Sequence, residues 1–184
     1  MNAVAVEKFL ATSKKPFIIA FEGVDGSGKT TQCKLLEKHL TKLGMRTRIV
    51  GRRFIKSSLL ALFCRADVII ADRYVHTVLV FLREKWAFFA NFAKLAKLPK
   101  LVSPPNVVFF LELDVETALK RIISRGKRLE KNESRQEMEK FIRGYNEIFT
   151  NEQVYRLNAR QSAQKLHEEI VGILVELHKF PREK

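Results

Sequence analysis

The sequence predicts an α/β domain in which a five-stranded parallel sheet carries helices on both faces. Two observations lead there. Short, β-branched apolar runs alternate with longer stretches whose apolar residues recur at helical spacing, without internal repeats or low-complexity linkers, as in parallel strands joined by right-handed helical crossovers. The first run, Phe17-Ile-Ile-Ala-Phe21, is continuously apolar, which suits a central strand covered on both sides.

The elements follow in order. The first strand ends at Gly23, and a helix from Lys29 to Leu43 places Leu36, Leu40 and Leu43 at helical spacing before Gly44 stops it. Arg46–Val50 and Asp67–Asp72 are short β-branched strands. Residues 76–98 carry an apolar and aromatic helical stripe (Leu79, Leu82, Trp86, Phe89, Ala93, Ala96) that Pro99 terminates. Asn106–Leu113 is the fourth strand, and Asp114 caps a helix over Val115–Ser124. Arg125–Glu133 has no apolar period. Helix resumes over Glu137–Phe149, with Met138, Phe141, Ile142, Tyr145 and Ile148 in register. Val154–Leu157 is the fifth strand, and a last helix aligns Leu166, Ile170, Ile173, Leu174 and Leu177.

Composition narrows the function class. The 184 residues suit one domain over 1–184, and 46% hydrophobic content excludes a disordered polyelectrolyte. The 34 Lys+Arg against 20 Asp+Glu give a net charge of +14, which admits nucleic acid, an anionic membrane or small polyanions such as nucleotides as partners. No apolar run reaches the ~18 residues of a membrane helix. Residues 1–15 lack a secretory cleavage pattern and read as a flexible or helical extension, so the expected compartment is the cytoplasm, without a membrane partner. Cys33 and Cys64 are too few for a metal cluster or disulfide framework, and His39, His76, His167 and His178 show no metal spacing; all six read as packing or surface residues.

The strongest chemical signal is Gly23-Val24-Asp25-Gly26-Ser27-Gly28-Lys29-Thr30, a complete G-x-x-x-x-G-K-T between a strand and a helix. Its glycines let backbone N–H groups turn around a phosphate, the helix N-terminus adds partial positive charge, Lys29 reaches β- and γ-phosphates, and the Thr30 hydroxyl can ligate Mg²⁺. Asp72, at the end of Val68-Ile-Ile-Ala71, is delivered beside that loop, either to hold Mg²⁺ directly or through water, or to form a structural ion pair with Arg73. Arg73 stands where ATP-hydrolysing motors carry a carboxylate, which disfavours a motor.

Phe21-Glu-Gly-Val-Asp-Gly-Ser-Gly-Lys-Thr-Thr-Gln32 and Asp72-Arg-Tyr-x-x-Thr77, with Pro105–Asp114 as weaker support, resemble the thymidylate kinase family of P-loop nucleoside monophosphate kinases over most of residues 16–178. The resemblance implies a P-loop kinase fold, ATP as donor with Mg²⁺, a nucleoside monophosphate as acceptor, and a homodimer, for which the aromatic stripe of residues 79–98 is either core or the pairing face. It implies that Gly23 to Thr31 hold the ATP phosphates, Thr30 and Asp72 the metal, and Arg73 the acceptor phosphate. It also implies that Asp25 faces the acceptor sugar and that Tyr74, Thr77 and Phe81 line the nucleoside pocket, with Thr77 where the family usually has Ser. Residues 125–133 are similar to the family's lid. Arg125, Lys127 and Arg128 would there neutralise a transition state whose charge spreads over the equatorial phosphoryl oxygens; alone, the segment also reads as a solvated basic loop. Arg160, after the fifth strand, matches the loop that packs on the donor adenine.

Two departures stand out. Arg53, Phe54 and Lys56 are the candidates for the acceptor contacts after the second strand, but the helical stretch expected before the third strand is pruned to Ser58–Ala66. Arg65 is either a replacement for the base-reading arginine of the family or a surface residue. Alongside the kinase reading stands an alternative from another class, a catalytically weakened nucleotide-binding protein whose basic surface contacts nucleic acid.

Overall fold

The structure, a computed structural model, describes residues 16–51, 66–86, 103–126, 133–150 and 154–179. Five strands, β1 (Phe17–Glu22), β2 (Thr47–Val50), β3 (Val68–Asp72), β4 (Val107–Glu112) and β5 (Tyr155–Asn158), form one sheet in the order β2-β3-β1-β4-β5, with every pairing parallel. Helices α1 (Lys29–Lys42), α2 (Val75–Trp86), α3 (Val115–Ile123), α4 (Arg135–Ile148) and α5 (Ala163–Lys179) connect or follow them.

Alternation along each strand splits the core in two. Ile19 and Phe21 of β1, Val68 and Ile70 of β3, and Val107, Phe109 and Leu111 of β4 pack with α1, α3 and α5 through Leu36, Leu40, Ile122, Leu166 and Ile170. The intervening Ile18, Ala20, Ile69, Ala71, Val108 and Phe110 pack with Val75 and Val80 of α2 and Tyr145 and Phe149 of α4. Because both faces are covered, β1 and β3 need side chains that are apolar on both sides, and this is what makes their sequences continuous apolar runs.

Strand bounds fall within a residue or two of those expected. Two helix starts are set by their caps: Asp114 Oδ1 accepts the Thr117 N–H (2.9 Å), as expected, and Ser134 Oγ accepts that of Glu137 (3.4 Å), which begins α4 at Arg135 rather than Glu137. In the 76–98 stripe, α2 accounts for the part up to Trp86; residues 87–98, the 1–15 extension and Cys64 lie outside the described residues. No helix among those described is long and apolar enough to cross a membrane.

What matters for the site is the edge where all five strands end. Parallel strands deliver their C-terminal loops to the same side, and ligands of open α/β sheets gather there. The strand order sets β1 between β3 and β4, and Phe21 is in register with Asp72. The loop after β1 therefore lies beside the carboxylate that ends β3.

Candidate active site

The Gly23–Thr30 loop turns from β1 into α1, and its shape depends on residues without a Cβ. Gly26 has φ +86°, and a Cβ there would stand 2.7 Å from the carbonyl oxygen of Ala118 in α3. Gly28, the N-cap residue of α1, has φ +92°. No side chain caps the first turn of α1, so its amides and the positive end of the helix dipole are available to an anion.

Lys29 is buried, and its ammonium donates to the Val24 carbonyl (2.7 Å) and lies 3.4 Å from the Ser27 Oγ. Burial, helped by the neighbouring Arg73 charge, lowers its pKa to about 7 against the pull of Asp25, Asp72 and Glu22. An anion brought against this amine restores its charge.

The Thr30 hydroxyl donates to Asp72 Oδ2 at 2.5 Å. A hydroxyl and a carboxylate side by side form a hard, all-oxygen donor pair, which fits Mg²⁺ better than any softer metal. Asp72 is thus joined to the loop, and the structural ion pair with Arg73 is not formed. Arg73 instead meets Asp25: Nη2 donates to Asp25 Oδ1 at 2.6 Å, and Nη1 to the Gly23 carbonyl at 3.1 Å. It is the one non-glycine residue with positive φ (+74°) among those described.

These groups converge. A cleft of about 310 Å³ is lined by Gly26, Gly28, Lys29, Thr30 and Thr31 of the loop together with Asp25, Asp72, Arg73 and the exposed Arg125 at the end of α3. Three cationic side chains and two carboxylates around an uncapped helix N-terminus can bind a polyphosphate and a metal together.

Other candidates lie elsewhere. Val24 and Arg160 line a separate cavity of about 380 Å³ with the ends of β4 and β5 and with Ile142 and Asn146 of α4. There Arg160 Nε donates to Asp114 Oδ2 (2.9 Å), and the Asp114 pKa is held below the usual carboxylate range by the Thr117 N–H and hydroxyl, then by Arg160. Tyr74 is buried, and its hydroxyl donates to the Ser103 carbonyl (2.6 Å); burial raises its pKa to about 12. Phe81 is 40% exposed on α2. Arg53, Phe54, Lys56 and Arg65, and Lys127 and Arg128 of the lid segment, lie outside the described residues.

Sequence reasoning gave no role to Glu22 and read Tyr145 only as core. Glu22 is fully buried at the end of β1. Its Oε1 accepts the Tyr74 N–H (2.8 Å) and its Oε2 accepts the Thr77 hydroxyl (2.5 Å) and the Tyr145 hydroxyl (3.0 Å), while His76 Nδ1 lies 3.4 Å from Oε1. Burial alone would raise the carboxyl pKa, but His76, Thr77 and the Tyr74 amide outweigh it and hold the group below its ordinary value. The available signal was an acid ending an otherwise apolar, doubly covered strand, since a carboxylate in that position needs partners.

The comparisons bear on family and fold. The thymidylate kinase family model matches residues 50–170. A protein described as a probable thymidylate kinase from Methanocaldococcus jannaschii is 28% identical over 186 residues, covering 85% of this chain and 94% of that protein. Another, from Sulfurisphaera tokodaii, is 32% identical over 139 residues, covering 58% and 69%. A solved structure of deoxyadenosine kinase from M. mycoides, with products dCMP and dCDP bound, has a TM-score of 0.66 at 17% identity and covers 87% of this chain and 100% of its own. At that identity it speaks for the fold, a parallel sheet of the P-loop kinase type.

Proposed function

The chain belongs to the thymidylate kinase family, a family of ATP-dependent nucleoside monophosphate kinases, and from that premise we propose that its acceptor is thymidylate or a related deoxynucleoside monophosphate. The observation that carries the reading is the convergence on one cleft of the Gly23–Thr31 loop, Asp72, Arg73 and Arg125.

In this reading the loop amides and Lys29 hold the β- and γ-phosphates of ATP. Thr30 and Asp72 hold Mg²⁺, whose charge screens the donor phosphates. Arg73 grips the acceptor phosphate, and Asp25 keeps the guanidinium aimed by its 2.6 Å ion pair. An acceptor phosphate oxygen attacks the γ-phosphorus, the bond to the β–γ bridging oxygen breaks, and ADP leaves with the electron pair. Arg125, with Lys127 and Arg128 following it in sequence, supplies positive charge where the transferring group spreads its negative charge. No covalent enzyme intermediate is needed, because the protein contributes position and electrostatics.

The acceptor base is the open part of the specificity. The resemblance expects an arginine to read it, and the pruned segment between Arg53 and Asp67 offers only Arg65. A pocket that selects by shape without a buried polar reader discriminates by at most ~3 kcal/mol, about a hundredfold. Incubation with ATP, Mg²⁺ and each deoxy- and ribonucleoside monophosphate is therefore expected to give diphosphate from thymidylate, with a preference in kcat/KM below about a hundredfold. Sharp selectivity that Arg65→Ala erases, with ATP binding unchanged, refutes the claim of relaxed specificity; no diphosphate from any acceptor refutes the kinase reading. The homodimer belongs to the same proposal, and light scattering at twice the 21.3 kDa chain mass is its test.

A further inference from the structure

We infer that Glu22 is a positioning residue of the acceptor side: through the Tyr74 amide and the Tyr145 hydroxyl, its buried carboxylate holds Arg73 in the one backbone conformation and side-chain direction that face the cleft. The inference rests on the reading of Arg73 as the acceptor-phosphate ligand.

The backbone comes first. A non-glycine residue at φ +74° is strained and persists only where its surroundings over-determine it. The restraints are two consecutive amides tied to two consecutive residues of β1: Arg73 N–H donates to the Phe21 carbonyl (3.0 Å), and Tyr74 N–H donates to Glu22 Oε1 (2.8 Å). The second acceptor is a side chain, so the turn from β3 into α2 depends on the identity of residue 22. Thr77 N–H, in the first turn of α2, also points at Oε1, at 3.4 Å.

The side chain is governed by a proton count. Thr77 Oγ1 and Tyr145 OH lie 2.5 and 3.0 Å from Glu22 Oε2 and 2.7 Å from each other. Each hydroxyl has one proton. Facing an ionised carboxylate, the Tyr145 hydroxyl donates its hydrogen bond to Glu22 Oε2, which leaves its lone pairs toward Arg73 Nη1 at 3.4 Å. A relay thus runs Arg73 to Tyr145 to Glu22, and with the Gly23 carbonyl and Asp25 it fixes the guanidinium plane. Glutamine at position 22 cannot reproduce this. Its NH₂ group either opposes the Tyr74 amide or displaces the hydroxyl protons, turning the Tyr145 O–H toward a guanidinium that also donates.

The test is binding of dTMP and, separately, of ATP by calorimetry to wild type, Glu22→Gln, Tyr145→Phe, Arg73→Ala and the double variants that join each of the first two to Arg73→Ala, with steady-state KM values beside them. Expected are a loss of dTMP affinity of about tenfold for Glu22→Gln and a smaller loss for Tyr145→Phe, with ATP affinity within about twofold of wild type. In the double variants the losses should not multiply, because Glu22 and Tyr145 act through a guanidinium that is already gone. Wild-type dTMP affinity in the folded single variants, or losses that multiply with that of Arg73→Ala, overturns the inference. Should Glu22→Gln not fold, Tyr145→Phe and its double variant decide alone. Wild type that binds dTMP without transferring phosphate defeats the kinase reading while the binding arms still judge Glu22. Wild type that binds no monophosphate removes the acceptor site and this inference with it.

Discussion

Alanine at Gly26 and alanine at Gly28 make a matched pair that tests how the phosphate loop is held. Both glycines have positive φ, +86° and +92°, so each substitution carries the left-handed penalty of roughly 1–2 kcal/mol. They differ in space. At Gly28 nothing lies within 4 Å of the new Cβ, whereas at Gly26 it meets the Ala118 carbonyl oxygen at 2.7 Å and the Ala118 Cα at 3.1 Å. Those atoms are backbone of α3, and Ala118 is itself fully buried, so neither side yields without moving an element. Overpacking of this kind adds about 1–3 kcal/mol. For a chain of this length each kcal/mol shifts Tm by about 2–4 °C, so Gly28→Ala should lower Tm by roughly 2–8 °C and Gly26→Ala by about 4–20 °C. Calorimetry, paired with ATP titration, reads both. Gly26→Ala should also weaken ATP binding by about tenfold or more, since the loop must leave α3 to relieve the contact. Adding Ala118→Gly should not rescue it, because the contact is with main-chain atoms. A Tm loss for Gly26→Ala no greater than for Gly28→Ala, or rescue by Ala118→Gly, refutes the claim that α3 sets the shape of the loop.

Other expectations follow from the same geometry. Because the Lys29 pKa is about 7 in the free protein and rises when an anion is bound, ATP binding takes up a proton, and affinity falls by about tenfold per pH unit above pH 7; calorimetry in buffers of different ionisation enthalpy should detect the uptake, and a pH-independent Kd between pH 7 and 9 refutes it. Arg73→Lys keeps the charge but not the fork that spans Asp25 and the Gly23 carbonyl, so the acceptor KM should rise by about tenfold while the ATP KM holds; a rise in the ATP KM alone reassigns Arg73 to the donor side. Asp72→Asn retains an acceptor for the Thr30 hydroxyl yet removes the charge that suits a divalent ion, so it should raise the Mg²⁺ needed for half-maximal activity with little change in Tm, and an unchanged Mg²⁺ titration denies Asp72 that role.

Much of the fold was legible because parallel strands covered on both sides cannot hide: Phe17–Phe21 and Val68–Ala71 are apolar at every position. The loop was legible because its chemistry demands fixed residue types at fixed spacing. The partnership of Arg73 was less so. Sequence adjacency offered Asp72 only as an alternative to its metal role, but a strand residue and its successor point apart, and Arg73 pairs with Asp25 of the loop after β1 instead. Tyr145 illustrates a different limit. Helical spacing reports which face of α4 is buried and says nothing of which buried side chain reaches a polar partner 123 residues away.

The reaction proposed for the cleft formed by the loop, Asp72 and Arg73 is transfer of the γ-phosphoryl group of ATP to a nucleoside monophosphate. Single-turnover transfer of ³²P from γ-labelled ATP to dTMP, run with wild type and with Lys29→Ala of matched Tm, measures that step without interference from product release. Expected are labelled dTDP from wild type and a rate lower by about 10²–10³ in Lys29→Ala, the loss that follows when a preorganised charge on the transferring group is removed. Label that remains on ATP or appears only as inorganic phosphate in wild type, or equal transfer by the two proteins, contradicts that reaction.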